Sequence, residues 1–132
     1  MIGLDSWLFF ELKNKNEKAI DFWRFVISGK TKIFVSVLVL YELGLHMFRR
    51  GESRFYTEMK QIILNTPNIH VVDINAEITE RALKLSHTYN MPAVDSLIVA
   101  SYLSKKCESI ITNDKHMVNL AGKKVIKIKS LK

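Results

Sequence analysis

One cysteine, two prolines and five glycines are all that 132 residues hold of the types that staple, break or loosen a chain. The lone Cys107 excludes an internal disulfide, as expected in a reducing compartment. No apolar run approaches the roughly 18 residues of a membrane-spanning helix, and the N-terminus lacks a signal-peptide pattern. A cytoplasmic protein with no membrane association is therefore expected. Low-complexity tracts and internal repeats are also missing. Acids are the scarce charge, 13 Asp and Glu against 20 Lys and Arg, for a net +7. An excess of that sign favours a polyanionic partner, nucleic acid above all. With 48% apolar residues, ordinary for a globular protein, the chain has the size and composition of a single domain over residues 1–132.

Because acids are few, their positions are informative. Four stand beside apolar chain or at element ends: Asp5 after Ile2-Gly3-Leu4, Glu42 after Val37-Leu38-Val39-Leu40-Tyr41, Asp95 after Met91-Pro92-Ala93-Val94, and Asp114 after Ile110-Ile111-Thr112-Asn113. A carboxylate beside apolar chain is costly unless its charge is compensated. Four that converged would repel one another, and a divalent cation is the simplest compensation. Each acid also has a plain structural explanation. Asp5 offers an N-cap oxygen to the next helix. Asp95 in a first helical turn answers the helix dipole. Asp114 in an Asn-Asp pair suits a turn. Glu42 is harder to explain so, being the only carboxylate between Ile33 and Met47.

The pattern of apolar residues supplies the frame. Short strands are expected at residues 2–5, 33–35, 69–74, 109–112 and 124–129. Helices are expected at 6–14, around Ala19, Phe22, Trp23 and Val26, at 37–50, 54–65, 76–89, 93–106 and 115–120. Ser36 and either Asp73 or Asn75 suit N-cap positions. Phe55, Met59, Ile62 and Ile63 share one helical face, and Glu77–Arg81 and Glu80–Lys84 are spaced to pair. The helix from residue 93 is apolar nearly all round, hence buried. Strands alternating with helices predict an α/β, three-layer fold, with a central, mainly parallel five-stranded sheet flanked by helices. Such sheets bind ligands beyond the carboxyl ends of their strands, at the point where strand order reverses. Asp5 and Asp114 fall at such ends directly.

At these residues the chain resembles the PIN-domain family, and within it the VapC-type toxins. Leu4-Asp5-Ser6-Trp7 resembles the opening motif. Val35-Ser36-Val37 through Tyr41-Glu42-Leu43 resembles the second. Asp95-Ser96-Leu97-Ile98-Val99-Ala100 and Ile111-Thr112-Asn113-Asp114 resemble the third and fourth. The resemblance implies a PIN-like fold and a ribonuclease that uses Mg²⁺ or Mn²⁺. Asp5, Glu42, Asp95 and Asp114 would then be its catalytic and metal-binding residues, with support from Ser6 and from Thr112 or Asn113. It further implies products with a 5′-phosphate and a 3′-hydroxyl, and a small antitoxin protein as partner. Separately, Trp7, Phe9, Phe10, Phe22 and Trp23 suit core or subunit contact more than base stacking, and an exposed aromatic patch among them predicts a homodimer. Two positions depart from the family's pattern. Trp7 replaces a small polar residue, and His116 stands where many members carry another acid.

The remaining cations and rings yield secondary candidates. Arg49, two helical turns beyond Glu42, and Lys115, beside Asp114, are candidate contacts for RNA phosphates, although solvated surface charge is the simpler explanation of both. Lys123, Lys124, Lys127, Lys129 and Lys132 load the last strand and tail, where they are expected to guard a sheet edge. His46 lies four residues after Glu42 but has no His or Cys partners for a zinc site. Cys107 is expected to be a small buried residue. Two other functional classes fit the same acids: a PIN nuclease of RNA processing with no antitoxin, and a non-catalytic module that binds metal or RNA.

Overall fold

The computed structural model describes residues 1–118, 120, 123 and 125–131, with the backbone alone for His116. Lys124 and Lys132 of the basic tail lie outside the described residues. Five short strands form one parallel sheet: β1 (Ile2–Leu4), β2 (Ile33–Ser36), β3 (Ile69–Val72), β4 (Ser109–Ile111) and β5 (Lys127–Lys129). Between them run α1 (Ser6–Lys13), α2 (Glu17–Ile27), α3 (Val37–Arg49), α4 (Ser53–Asn65), α5 (Ala76–Tyr89), α6 (Ala93–Ser104) and α7 (Lys115–Val118). The helix expected over 115–120 is Lys115–Val118; Asn119 lies outside the described residues and Leu120 is in a turn. The three-layer α/β architecture expected from the strand–helix alternation is present.

Strand order is β3-β2-β1-β4-β5. The chain therefore builds outward from β1 through β2 to β3, then crosses back to add β4 and β5 on the other side. The reversal lies between β1 and β4, which pair Leu4 with Ile111. Divergence of the connecting segments at this point leaves a crevice at the carboxyl edge. Asp5 follows β1 directly, and its amide donates to the Ile111 carbonyl at 3.3 Å.

Capping sets several helix starts. Ser36 Oγ accepts from the Leu38 amide at 3.2 Å, Asn16 Oδ1 from Ala19 at 3.1 Å, and Asn75 Oδ1 from Ile78 at 2.9 Å. Asn75, not Asp73, thus caps α5. Gly29 and Gly51 end α2 and α3 with φ of +79° and +69°, a conformation glycine adopts without steric cost. The core runs from β1, β2 and β4 into α1, α3, α5 and α6, with Leu4, Leu8, Phe9, Leu43, Ile98 and Tyr102 fully buried.

Several details differ from expectation. β1, β3 and β4 are shorter, because Asp5, Asp73 and Thr112 have already left the ladder to lead into the following segments, and β5 begins only at Lys127, whereas β2 runs one residue further, to Ser36. Ile62 is 41% exposed while Met59 and Ile63 of the same helix are buried; its place at the margin of the helical face leaves it facing water. Neither Glu77–Arg81 nor Glu80–Lys84 closes to an ion pair. Helical pairs that do form among the described residues include Arg24–Asp21 at 3.3 Å and Arg54–Glu58 at 2.9 Å. Exposed partners gain little from closing, so long side chains stay dispersed. No helix among the described residues is long and apolar enough to cross a membrane.

Candidate active site at the carboxyl edge of the sheet

Asp5 occupies the N-cap position of α1, yet its side chain caps nothing. Its Oδ2 instead accepts a 2.6 Å hydrogen bond from the Thr112 hydroxyl across the β1–β4 crevice. The same Thr112 oxygen accepts from the Asp114 amide at 3.0 Å. One buried hydroxyl thereby ties two of the four acids together and fixes the turn after β4. Across the crevice the Ser6 hydroxyl donates to Glu42 Oε1 at 3.1 Å, joining the first turn of α1 to the middle of α3. Asn113 turns its side-chain oxygen to the Ser130 hydroxyl, so Thr112 makes the supporting contact and Asn113 does not.

The four acids share one electrostatic neighbourhood. Glu42 is pushed up to about 7, first by burial, then by the charge of Asp5, with smaller contributions from Asp95 and Asp114; the Ser6 hydrogen bond opposes the rise. Asp5 is also raised, by burial first and by Asp114 among the smaller causes, against the pull of Thr112 and Ser6. Like charges act at short range through partly buried protein, so these shifts require proximity. Asp95 enters from the first turn of α6. The carboxylates are not closed around one point, however. Among the described residues no three His, Cys, Asp or Glu side chains are gathered tightly enough to hold an ion directly. The donor set still suits a hard divalent cation, since it is all carboxylate oxygen and Mg²⁺ commonly keeps several waters between itself and its protein ligands.

A tyrosine holds this edge in place. Tyr102 of α6 is fully buried and its hydroxyl accepts from the Ser36 amide at 3.0 Å. The same hydroxyl donates to the Leu4 carbonyl. It therefore bridges the carboxyl ends of β1 and β2, one residue before Asp5 and at the cap of the helix that carries Glu42. Burial raises its pKa far above the usual phenol value, so it stays protonated. The ring lies over Gly3, where a Cβ would meet Tyr102 carbons at 2.4–2.7 Å. Neither residue emerged from the sequence as part of the site. A glycine inside a strand, which signals close approach of another group, was the available clue.

Other candidates separate clearly. Arg49 and Lys115 are exposed, at the end of α3 and the start of α7. Lys127 and Lys129 are exposed on β5, an edge strand, as expected for an edge guard. His46 packs on Phe10, ring centroids 4.6 Å apart. The buried thiol of Cys107 is raised to about 11, chiefly by burial, so it is protonated and poorly nucleophilic at neutral pH.

A family model described as PIN domain matches residues 2–123. The chain belongs to the PIN-domain family. No curated protein matches the sequence. Solved structures share the fold of this PIN domain at low identity. VapBC2 from Rickettsia felis bound to a promoter DNA fragment aligns with a TM-score of 0.77 at 16% identity, covering 98% of each chain. A toxin–antitoxin complex from Klebsiella pneumoniae gives 0.76 at 16%, covering 100% of this chain and 98% of the other. The Mycobacterium tuberculosis toxin VapC20, described as cleaving the sarcin–ricin loop, gives 0.75 at 20%, covering 90% and 94%.

Proposed function

We propose that this PIN domain is a metal-dependent endoribonuclease that serves as the toxin of a type II toxin–antitoxin pair in the cytoplasm. The observation that supports it is the mutual electrostatic influence of Asp5, Glu42, Asp95 and Asp114, four acids from separate segments at the crevice of a parallel sheet. In this reading they hold Mg²⁺ or Mn²⁺, in part through water. Such an ion, when bound, acidifies a water and screens phosphate charge.

The protein's own groups have separable tasks. Thr112 fixes the Asp5 carboxylate, and Ser6 fixes that of Glu42. Burial and the neighbouring acids push Glu42 up to about 7 in the metal-free protein. With a cation bound that push is reversed, so Glu42 acts as a carboxylate that holds the ion or orients the attacking water. Arg49 and Lys115 meet phosphates flanking the cut. Asp95 and Asp114 complete the negative charge that a cation must balance.

The partner side of the proposal rests on surface and on fold. Leu40, Tyr41, Leu45, Phe48 and Tyr56 line an open apolar depression of about 350 Å³ between α3 and α4, and Tyr41 and Phe48 are each 62% exposed. A surface of this kind suits an antitoxin segment or a second copy of the chain. Two of the similar folds come from toxin–antitoxin complexes.

The test is cleavage of defined RNAs with Mg²⁺, Mn²⁺ or EDTA, beside Asp5→Asn. Loss of a group supporting a metal ligand costs about 10–100-fold, and loss of a ligand itself should exceed that. Cutting that EDTA does not stop, or that Asp5→Asn performs at the wild-type rate, defeats the nuclease mechanism. Divalent-cation binding with no cleavage of any RNA would leave the non-catalytic module as the answer.

A further inference from the structure

We infer that Trp7 is the floor of a nucleobase subsite beside the cleavage position, an inference that rests on the ribonuclease reading and names how the substrate strand is gripped. Trp7, Asn16, Glu17, Lys18, Asn113 and Leu131 line an open cavity of about 510 Å³, within the size range of small-ligand sites. Two of its lining residues are close chain neighbours of the acids. Trp7 follows Asp5 and Ser6, and Asn113 stands between Thr112 and Asp114. A strand whose phosphate lies at the carboxylates therefore has one base within reach of this cavity.

The indole is suited to that base. Trp7 is partly exposed and packs one side on the core. Among the described residues it joins none of the ring pairs, whereas Trp23 is engaged edge-on by Phe9 at 5.7 Å. Asn16 uses its side-chain oxygen to cap α2, and Asn113 uses its own on Ser130. Both keep an NH₂ group that can meet acceptors on a base edge. Lys18 supplies a charge for the adjoining phosphate. An apolar peptide side chain would fill the same space but would leave these donors unused. Stacking on an aromatic ring tolerates any base, because every base has a π face.

The test uses Trp23→Phe protein, so that Trp7 is the sole tryptophan, excited at a wavelength the four tyrosines do not absorb. It is titrated with short oligouridylate, and with an abasic strand of the same length, in Ca²⁺ in place of Mg²⁺ to keep the strand whole. Quenching by the base-bearing strand and little by the abasic strand is expected. Trp7→Ala should weaken RNA binding about 5- to 150-fold, the span of one stacked base, with an unchanged salt slope because no phosphate contact is lost. Trp7→Phe should retain most of the affinity. Equal quenching by both strands, or none by either, overturns the subsite, whatever a protein partner does to the signal. RNA cleavage with a silent Trp7 leaves the nuclease standing and removes the subsite. Quenching by bases without cleavage does the reverse.

Discussion

Glu42, in the middle of α3, and Glu52, just past its end, meet opposite fates. Glu52, just past the helix, takes Lys13 Nζ at 2.7 Å and Arg50 Nε at 3.4 Å. Those cations, Lys13 first, hold its carboxyl below the usual range. Glu42 is driven up by burial and then by other acids, with no cation among the main causes of its shift. A chain with a net charge of +7 has cations to spare. It places them on surface ties such as the half-buried Lys13–Glu52 pair and leaves Asp5 and Glu42 to repel one another. The difference teaches that the carboxylate cluster is not organised for folding. Such an arrangement is tolerable where a charge from outside completes it.

The contrast can be sharpened from the site outward. Thr112→Val removes the donor to Asp5 and should lower metal-dependent cleavage about 10–100-fold, read as kcat at saturating Mg²⁺. Unchanged kcat would make that hydrogen bond incidental. Tyr102→Phe deletes the bridge between Leu4 and Ser36 and leaves two buried backbone groups unpaired. The expected loss is about 1–3 kcal/mol, measured by urea denaturation, with the midpoint falling and the slope unchanged.

The smallest effect concerns pH. Burial and neighbouring acids carry Glu42 from its ordinary 4.5 up to about 7 in the folded protein. Between these values the folded state binds more protons than the unfolded state, so stability falls as pH rises through the window. Asp5, also raised, contributes with the same sign. After discounting for partial exposure, Glu42 should contribute on the order of 1 kcal/mol, roughly 4 °C in Tm. Thermal melts without divalent metal should show the decline, and Glu42→Gln should flatten it. A rise in Tm over the same window would contradict the assigned repulsion.

The alternation of short apolar strands with amphipathic helices was legible because burial on one face imposes a period on sequence. Ser36 and Asn75 were legible as caps because capping is local. The limits of local logic are equally clear. Asp5 stands where a cap belongs, yet its side chain turns to Thr112, 107 residues away in sequence. Spacing suggested ion pairs on α5, but exposed partners have little reason to close. The Tyr102–Gly3 packing depends on two elements meeting across the sheet, which neither segment encodes alone. The four acids could be named from their apolar surroundings; the crevice that gathers them follows only from strand order.

The central claim is that a cation belongs among these four carboxylates. Substoichiometric Mn²⁺ added to isotope-labelled protein tests it directly, through paramagnetic broadening of assigned resonances. Simultaneous loss of signals at Asp5, Glu42, Asp95 and Asp114, reversed by excess Mg²⁺ and absent in Asp5→Asn, is expected. Broadening centred on Glu52 or the exposed acids of α5, with those four left sharp, would contradict the account.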